Sequence, residues 1–192
     1  MKVLMRRLFL TAIIIFSAIG TTRAQMLALK SDALPYAAFA PNLGAELVTS
    51  NKTTVSLEAM FAYRSFGTNI RALAFSPEFR YYFHGRPMTR EFIGVSAVGA
   101  TYKWYNDEGK TFKGNVGGLG VTFGYVWRLG EKQRWNMEVR GGLGLYRYNQ
   151  LSRYAWEGSQ DEFSERGWVV LPYKVGLAFS YILPTEKKEK KK

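Results

Sequence analysis

Between residues 25 and 183 the chain alternates apolar and polar positions with a period of two. Within 71–83, Leu73, Phe75, Phe79, Tyr81 and Phe83 fall on one side; Ala72, Ala74, Ser76, Glu78 and Arg80 fall on the other. Successive side chains of a strand point to opposite faces, so alternation of this length predicts β-structure. The pattern returns in 55–64, 118–129 and 135–146. It returns again in 169–181, where Val169, Leu171, Tyr173, Val175, Leu177, Phe179 and Tyr181 oppose Lys174, Gly176, Ala178 and Ser180. Turn-forming clusters such as Ser50-Asn51-Lys52, His84-Gly85-Arg86-Pro87, Asn106-Asp107-Glu108-Gly109 and Gly130-Glu131-Lys132 separate the runs. Strands are predicted near 26–34, 42–49, 53–65, 70–83, 91–105, 115–129, 135–148 and 168–183. The first two carry the weakest pattern, and 91–105 leaves its register open.

Which face turns inward follows from the residue types. The apolar faces are aromatic-rich, and against them stand Gly, Ala and Ser with isolated charges. A solvated face is dense in polar side chains, whereas a narrow interior needs small residues to make room for a few long ones. Runs of about 13 residues also exceed the ~9–11 that a tilted strand needs to span a membrane. Tyr81, Tyr82, Trp104, Tyr105, Tyr125, Trp127, Trp135, Tyr146, Tyr148, Trp168 and Tyr181 near the run ends are expected to form interfacial girdles. The expected fold is therefore all-β: an eight-stranded antiparallel up-and-down transmembrane β-barrel over residues 25–183. A soluble lipocalin-like barrel, with the same strand count, is the alternative. An even strand count puts the short connections 50–52, 84–90 and 130–134 on the periplasmic side. The outer loops are then 35–41, 66–69, 106–114 and 149–167, the last the longest.

The ends of the chain change how its charge is read. Residues 1–24 carry Lys2, Arg6 and Arg7, an apolar run to Gly20, and small residues before Gln25, the layout of a cleaved signal peptide. Of the net +12, that segment holds +4, and 184–192 holds five Lys against Glu186 and Glu189, or +3. The middle therefore keeps only 12 − 4 − 3 = +5, scattered, and a nucleic-acid partner is not expected. The 184–192 segment reads as a disordered basic periplasmic tail. With no cysteine in the chain, disulfides and thiolate metal sites are excluded.

The polar face supplies the candidate site. With the apolar faces turned to lipid, Glu46, Glu58, Glu78, Arg80, Glu138, Arg140 and Lys174 point into the lumen, joined by Lys30 and Asp32. Unpaired charges there are costly, so these residues are expected to pair into an ionic plug that fills the barrel. Catalysis at an outer rim generally needs a His base, and the lone His84 lies in a periplasmic turn. Neither catalytic residues, a metal nor a cofactor is expected. Tyr154, Trp156 and Phe163, set among charges in the last outer loop, are the candidates for partner binding.

Ala28-Leu29-Lys30-Ser31-Asp32, Pro41-Asn42-Leu43-Gly44-Ala45-Glu46, Pro77-Glu78-Phe79-Arg80-Tyr81-Tyr82-Phe83 and the Gly/aromatic run 118–130 continuing into Trp135-Asn136-Met137-Glu138 carry a resemblance. The chain resembles a domain-of-unknown-function family of exported outer-membrane β-barrels from gut-type anaerobic bacteria, small OmpA/OmpX-like barrels. That resemblance implies outer-membrane lipid and lipopolysaccharide, the barrel assembly machinery and a surface or fimbria-like protein as partners. It also implies cysteines in the last outer loop, which this chain lacks. The expected function is non-enzymatic: a structural, surface-assembly or binding role through the outer loops. A lipid- or lipopolysaccharide-modifying enzyme and a narrow channel are the alternatives.

Overall fold

In the computed structural model, residues 26–64, 69–105, 110–154 and 162–184 are described. The period-two segments form eight antiparallel strands: β1 (Leu27–Asp32), β2 (Asn42–Val48), β3 (Thr53–Tyr63), β4 (Asn69–Tyr82), β5 (Arg90–Tyr105), β6 (Lys110–Leu129), β7 (Trp135–Tyr154) and β8 (Glu162–Ile182). Each pairs with its sequence neighbour, and β1 pairs with β8 (Leu29 opposite Tyr181), so the sheet closes into one ring. One short helix, α1 (Ala33–Ala37), follows β1.

The ring is inside-out relative to a protein folded around an apolar core. Leu119, Phe123 and Leu143 are 65%, 58% and 63% exposed on the outer surface, whereas Arg80 is 0% exposed inside. Register places Glu46, Ser56, Glu78 and Ser96 side by side on the inner face of β2 to β5. On β5, whose register the sequence left open, Phe92, Gly94, Ser96 and Ala100 turn inward. Tight turns join the strands at one end: 49–52, 83–89 and 130–134. Gly85 (φ 69°) and Gly130 (φ 75°) take left-handed backbone there, at no Cβ penalty.

Several expectations need correction. The first strand stops at Asp32, and 33–37 turn into α1; Pro35 offers no N–H to a ladder but is tolerated in a helix's first turn. β6, β7 and β8 run well past the apolar alternation, pairing from Lys110 opposite Tyr154 and from Arg153 opposite Glu162. Of the predicted 149–167 loop, 149–154 and 162–167 are therefore strand, and 155–161 lie outside the described residues. Tyr154 and Phe163 stand on strand backbones rather than in a loop, and Trp156 lies outside the described residues. So do the segments read as signal peptide and, beyond Pro184, as basic tail.

A bulge corrects the β8 face assignment. Arg140 pairs with Gly176 and Gly142 with Tyr173, so Lys174 and Val175 together oppose the single Gly141. Lys174 takes φ 49° to make this turn. The alternation changes phase at that point, and both Lys174 and Tyr173 enter the ring. Val169 and Leu171 change face with Tyr173, being opposite Tyr146 and Gly144 on β7. Tyr82 and Tyr146 are likewise buried inside, not part of an outer girdle.

Candidate functional site

The interior is built in three layers. At the tight-turn end lies an apolar cap. The 83–89 turn folds back so that Met88, with φ 56°, buries its side chain against Ala28 and Ile182. Tyr82, Phe92 and Val126 form a second buried cluster beside it. The Arg80 guanidinium lies 4.5 Å from the centre of the Phe92 ring, joining the cap to the layer above.

That layer is ionic and holds every lumen residue expected from the sequence. Arg80 Nη2 donates to Glu78 Oε2 at 2.7 Å, and its Nη1 to Glu138 Oε2 at 3.0 Å and Glu46 Oε2 at 3.2 Å. Lys30 Nζ donates to Glu138 Oε2 at 2.7 Å and to Glu46 Oε2 at 3.4 Å. Arg140 grips Glu58 two-pronged, at 2.7 and 3.0 Å, and reaches Asp32 Oδ1 at 2.6 Å. Lys174 Nζ bridges Glu78 at 2.7 Å and Glu58 at 3.1 Å. Four cations thus face five carboxylates, 4 − 5 = −1, each charge with at least one opposite partner. Alternation supplies the positions: Glu78 and Arg80 are neighbours on one face of β4, as are Glu138 and Arg140 on β7.

Neutral residues complete the layer, and the sequence reading missed them. Tyr82 Oη and Thr54 Oγ1 each donate to Glu46 Oε1 at 2.7 Å. Thr122 donates to Glu78 Oε1. For Tyr82 a signal was present, since it shares parity with Glu78 and Arg80. The Asn136 side chain is 1% exposed and has no hydrogen-bond partner among the described residues.

Beyond the ionic layer, toward the end opposite the tight turns, is a cavity of about 660 Å³. Asp32, Glu58 and Lys174 form its floor, where the Ser76 and Tyr173 hydroxyls also hydrogen-bond to each other. Its walls are mostly apolar, small at Ala62, Ala74, Val98, Ala100 and Val116 and larger at Met60, Ile70, Tyr146 and Leu171. A second hollow, about 540 Å³ and open, lies on the β6–β8 wall among Asn115, Arg147, Asn149, Arg166 and Trp168. Arg147 sits 5.8 Å from the Trp168 ring centre. His84 is at the other end of the molecule, where its Nδ1 lies 2.7 Å from Glu91 Oε2, both half-exposed. Among the described residues no cluster of His, Asp or Glu is arranged to hold a metal ion.

Two properties follow from this geometry. A closed apolar cap plus an internally paired ionic layer fills the ring at one end, and a lipophilic chamber stands open toward the other. The model of a family described as proteins of unknown function, DUF3575, matches residues 9–183. No curated protein and no solved structure matches the chain.

Proposed function

The chain belongs to the DUF3575 family, whose description carries no activity, and from its own geometry we propose that it is a non-enzymatic outer-membrane β-barrel with a structural and binding role. One observation carries the reading: polarity is inverted, with charges buried inside and aliphatic and aromatic side chains displayed outside. A soluble monomer rarely exposes a contiguous apolar patch beyond a few hundred Å². In a bilayer the same surface is solvated by hydrocarbon, and a closed ring leaves no unpaired strand edge where its strands meet. No helix among the described residues is long and apolar enough to cross a membrane, a point that bears only on helices.

Outward cations band the end opposite the tight turns. Arg71, Lys103 and Lys113 neighbour one another across β4, β5 and β6, and Arg147 and Arg166 lie on β7 and β8 at the same end. These positions suit anionic headgroups at the outer leaflet, while the tight turns face the periplasm. The packed inner half argues against a channel: eight strands leave little more than side-chain volume, and there the ionic layer and Met88 close the ring.

The reading is tested by nitroxide labels at single cysteines along 119–123 of this cysteine-free chain, in phospholipid vesicles. Labels at 119, 121 and 123 are expected to collide with lipid-dissolved oxygen, and those at 120 and 122 to be shielded. Strong collision with an aqueous nickel reagent at the odd positions would sink the membrane assignment.

A further inference from the structure

We propose that the cavity in the outer half of the ring is a binding site for one hydrocarbon chain of a membrane lipid, admitted from the side between β8 and β3. The proposal rests on the membrane reading above. Its volume of about 660 Å³ lies within the ~300–1,000 Å³ of small-molecule sites. What lines it determines what it takes. Alanines at 62, 74 and 100 hollow out the wall where larger residues would fill it, and Val98 and Val116 add only methyl groups. Such walls give water few partners and favour an apolar occupant.

The floor excludes an anionic head. Its Lys174 is already shared by Glu58 and Glu78, the Arg140 behind it by Glu58 and Asp32, and the layer carries net negative charge. A carboxylate or phosphate brought to that depth would meet like charge and committed cations. The chain therefore enters methyl end first, and the headgroup stays at the interface.

The side entrance follows from unequal strand lengths. β1 ends at Asp32 opposite Ala178, and β2 begins at Asn42 opposite Met60. Past those points β8 continues for sixteen residues, 162–177, with no strand on that edge among the described residues. On the β3 side the Phe61 N–H to Pro41 carbonyl bond, 3.0 Å, extends the pairing past Asn42. The interval is occupied by α1 and residues 38–41, whose Leu34, Pro35, Ala38 and Ala40 line the cavity from one side. Leu171, Pro172 and Val175 line it from the other and are themselves exposed. Leu34, Phe39 and Leu43 stand 58%, 67% and 64% exposed around the gap, an apolar doorway at membrane depth. Leu34 lies where a Cβ on Gly176 would be 3.2 Å from it, so the helix packs on the bulged edge through an apolar contact.

The test uses the full chain folded into phosphatidylcholine vesicles containing phosphatidylcholine with a diazirine at one acyl-chain end. After photolysis, mass spectrometry should find adducts on inward Ala74, Val98, Ala100 or Val116 as well as on outward Phe75, Leu119 and Phe123. The inward adducts should saturate at about one per chain and fall at least tenfold in Ala100→Phe, with Val116→Phe as the second filling variant. Outward adducts should stay unchanged in both. Outward adducts without inward ones would overturn this proposal and leave the membrane reading intact. Loss of both would overturn the membrane reading itself. Inward adducts undiminished in the filled variants would show that the chain end is not in the cavity, and would also overturn it.

Discussion

Arg140→Ala gives the sharpest test of the ionic layer. Its side chain is 1% exposed and donates to both Glu58 oxygens and to Asp32, with Glu138 Oε1 a further 3.6 Å from its Nε. The substitution takes the layer from 4 − 5 = −1 to 3 − 5 = −2, and strips Asp32 of its guanidinium partner. Removing one partner of a buried pair typically costs ~3–5 kcal/mol, because a charge is left without compensation. Asp32 and Glu58 are 20% and 12% exposed toward the cavity, and Glu58 keeps Lys174 at 3.1 Å. Residual solvation places the cost near the lower end, ~3 kcal/mol, or about a hundredfold in the unfolding constant. Urea titration of the full chain in vesicles, read by heat-modifiable gel mobility and tryptophan fluorescence, measures it, and the thermal midpoint should fall in parallel. Adding Glu58→Gln to Arg140→Ala should recover part of the loss, since it removes one of the stranded charges. An unchanged urea midpoint in Arg140→Ala would refute the inward placement of this face.

Other outcomes follow from the same interior. Tyr82→Phe deletes a donor to buried Glu46 Oε1 and should cost ~1–3 kcal/mol in the same titration. Gly94→Val should be far more damaging than Gly99→Val: a Cβ at Gly94 falls onto the Glu78 carboxylate and the Thr122 hydroxyl, while at Gly99 it meets nothing within 4 Å. Folding yields in vesicles compare the two directly, and equal yields would contradict the packing described. Planar-bilayer recordings should show no stable conductance, either for the unaltered chain or for Met88→Gly, because the ionic layer remains closed above the cap. A steady open level in Met88→Gly would mean that Met88 alone seals the ring.

What the sequence made legible is the contrast between two faces. Wherever lipophilic and small or charged residues alternate, position parity assigned inside and outside, and all the lumen charges named from it meet in one layer. Parity failed where its premise failed. At Lys174–Val175 a bulge inserts one residue, so Tyr173 changes sides; Pro172 and Gly176 flanking Lys174 were the visible hint of broken regularity. Tyr82 was assigned outward because aromatic residues suit both an interface and a packed interior. The strand tips 110–114, 149–154 and 162–167 scatter isolated apolar residues through polar sequence without regular alternation, so hydrophobic periodicity is blind to them although their backbones pair. The cavity could not be read at all, because it depends on which strands are short, and only pairing reveals that.

The unequal strands also bear on how the ring comes together. The β1–β8 seam runs only from Asp32 opposite Ala178 to Ala28 opposite Ile182, whereas β6–β7 runs from Lys110 opposite Tyr154 to Leu129 opposite Trp135. Hairpins such as β6–β7 join residues close in sequence and form early, while the seam joins positions some 150 apart and yields few ladder bonds in return. Closure is therefore expected to come last in folding, leaving β1 and β8 until then as two open edges able to pair with another strand. The same seam is the first to part under load, so pulling on the folded chain should unzip it at β1 long before the β6–β8 wall yields.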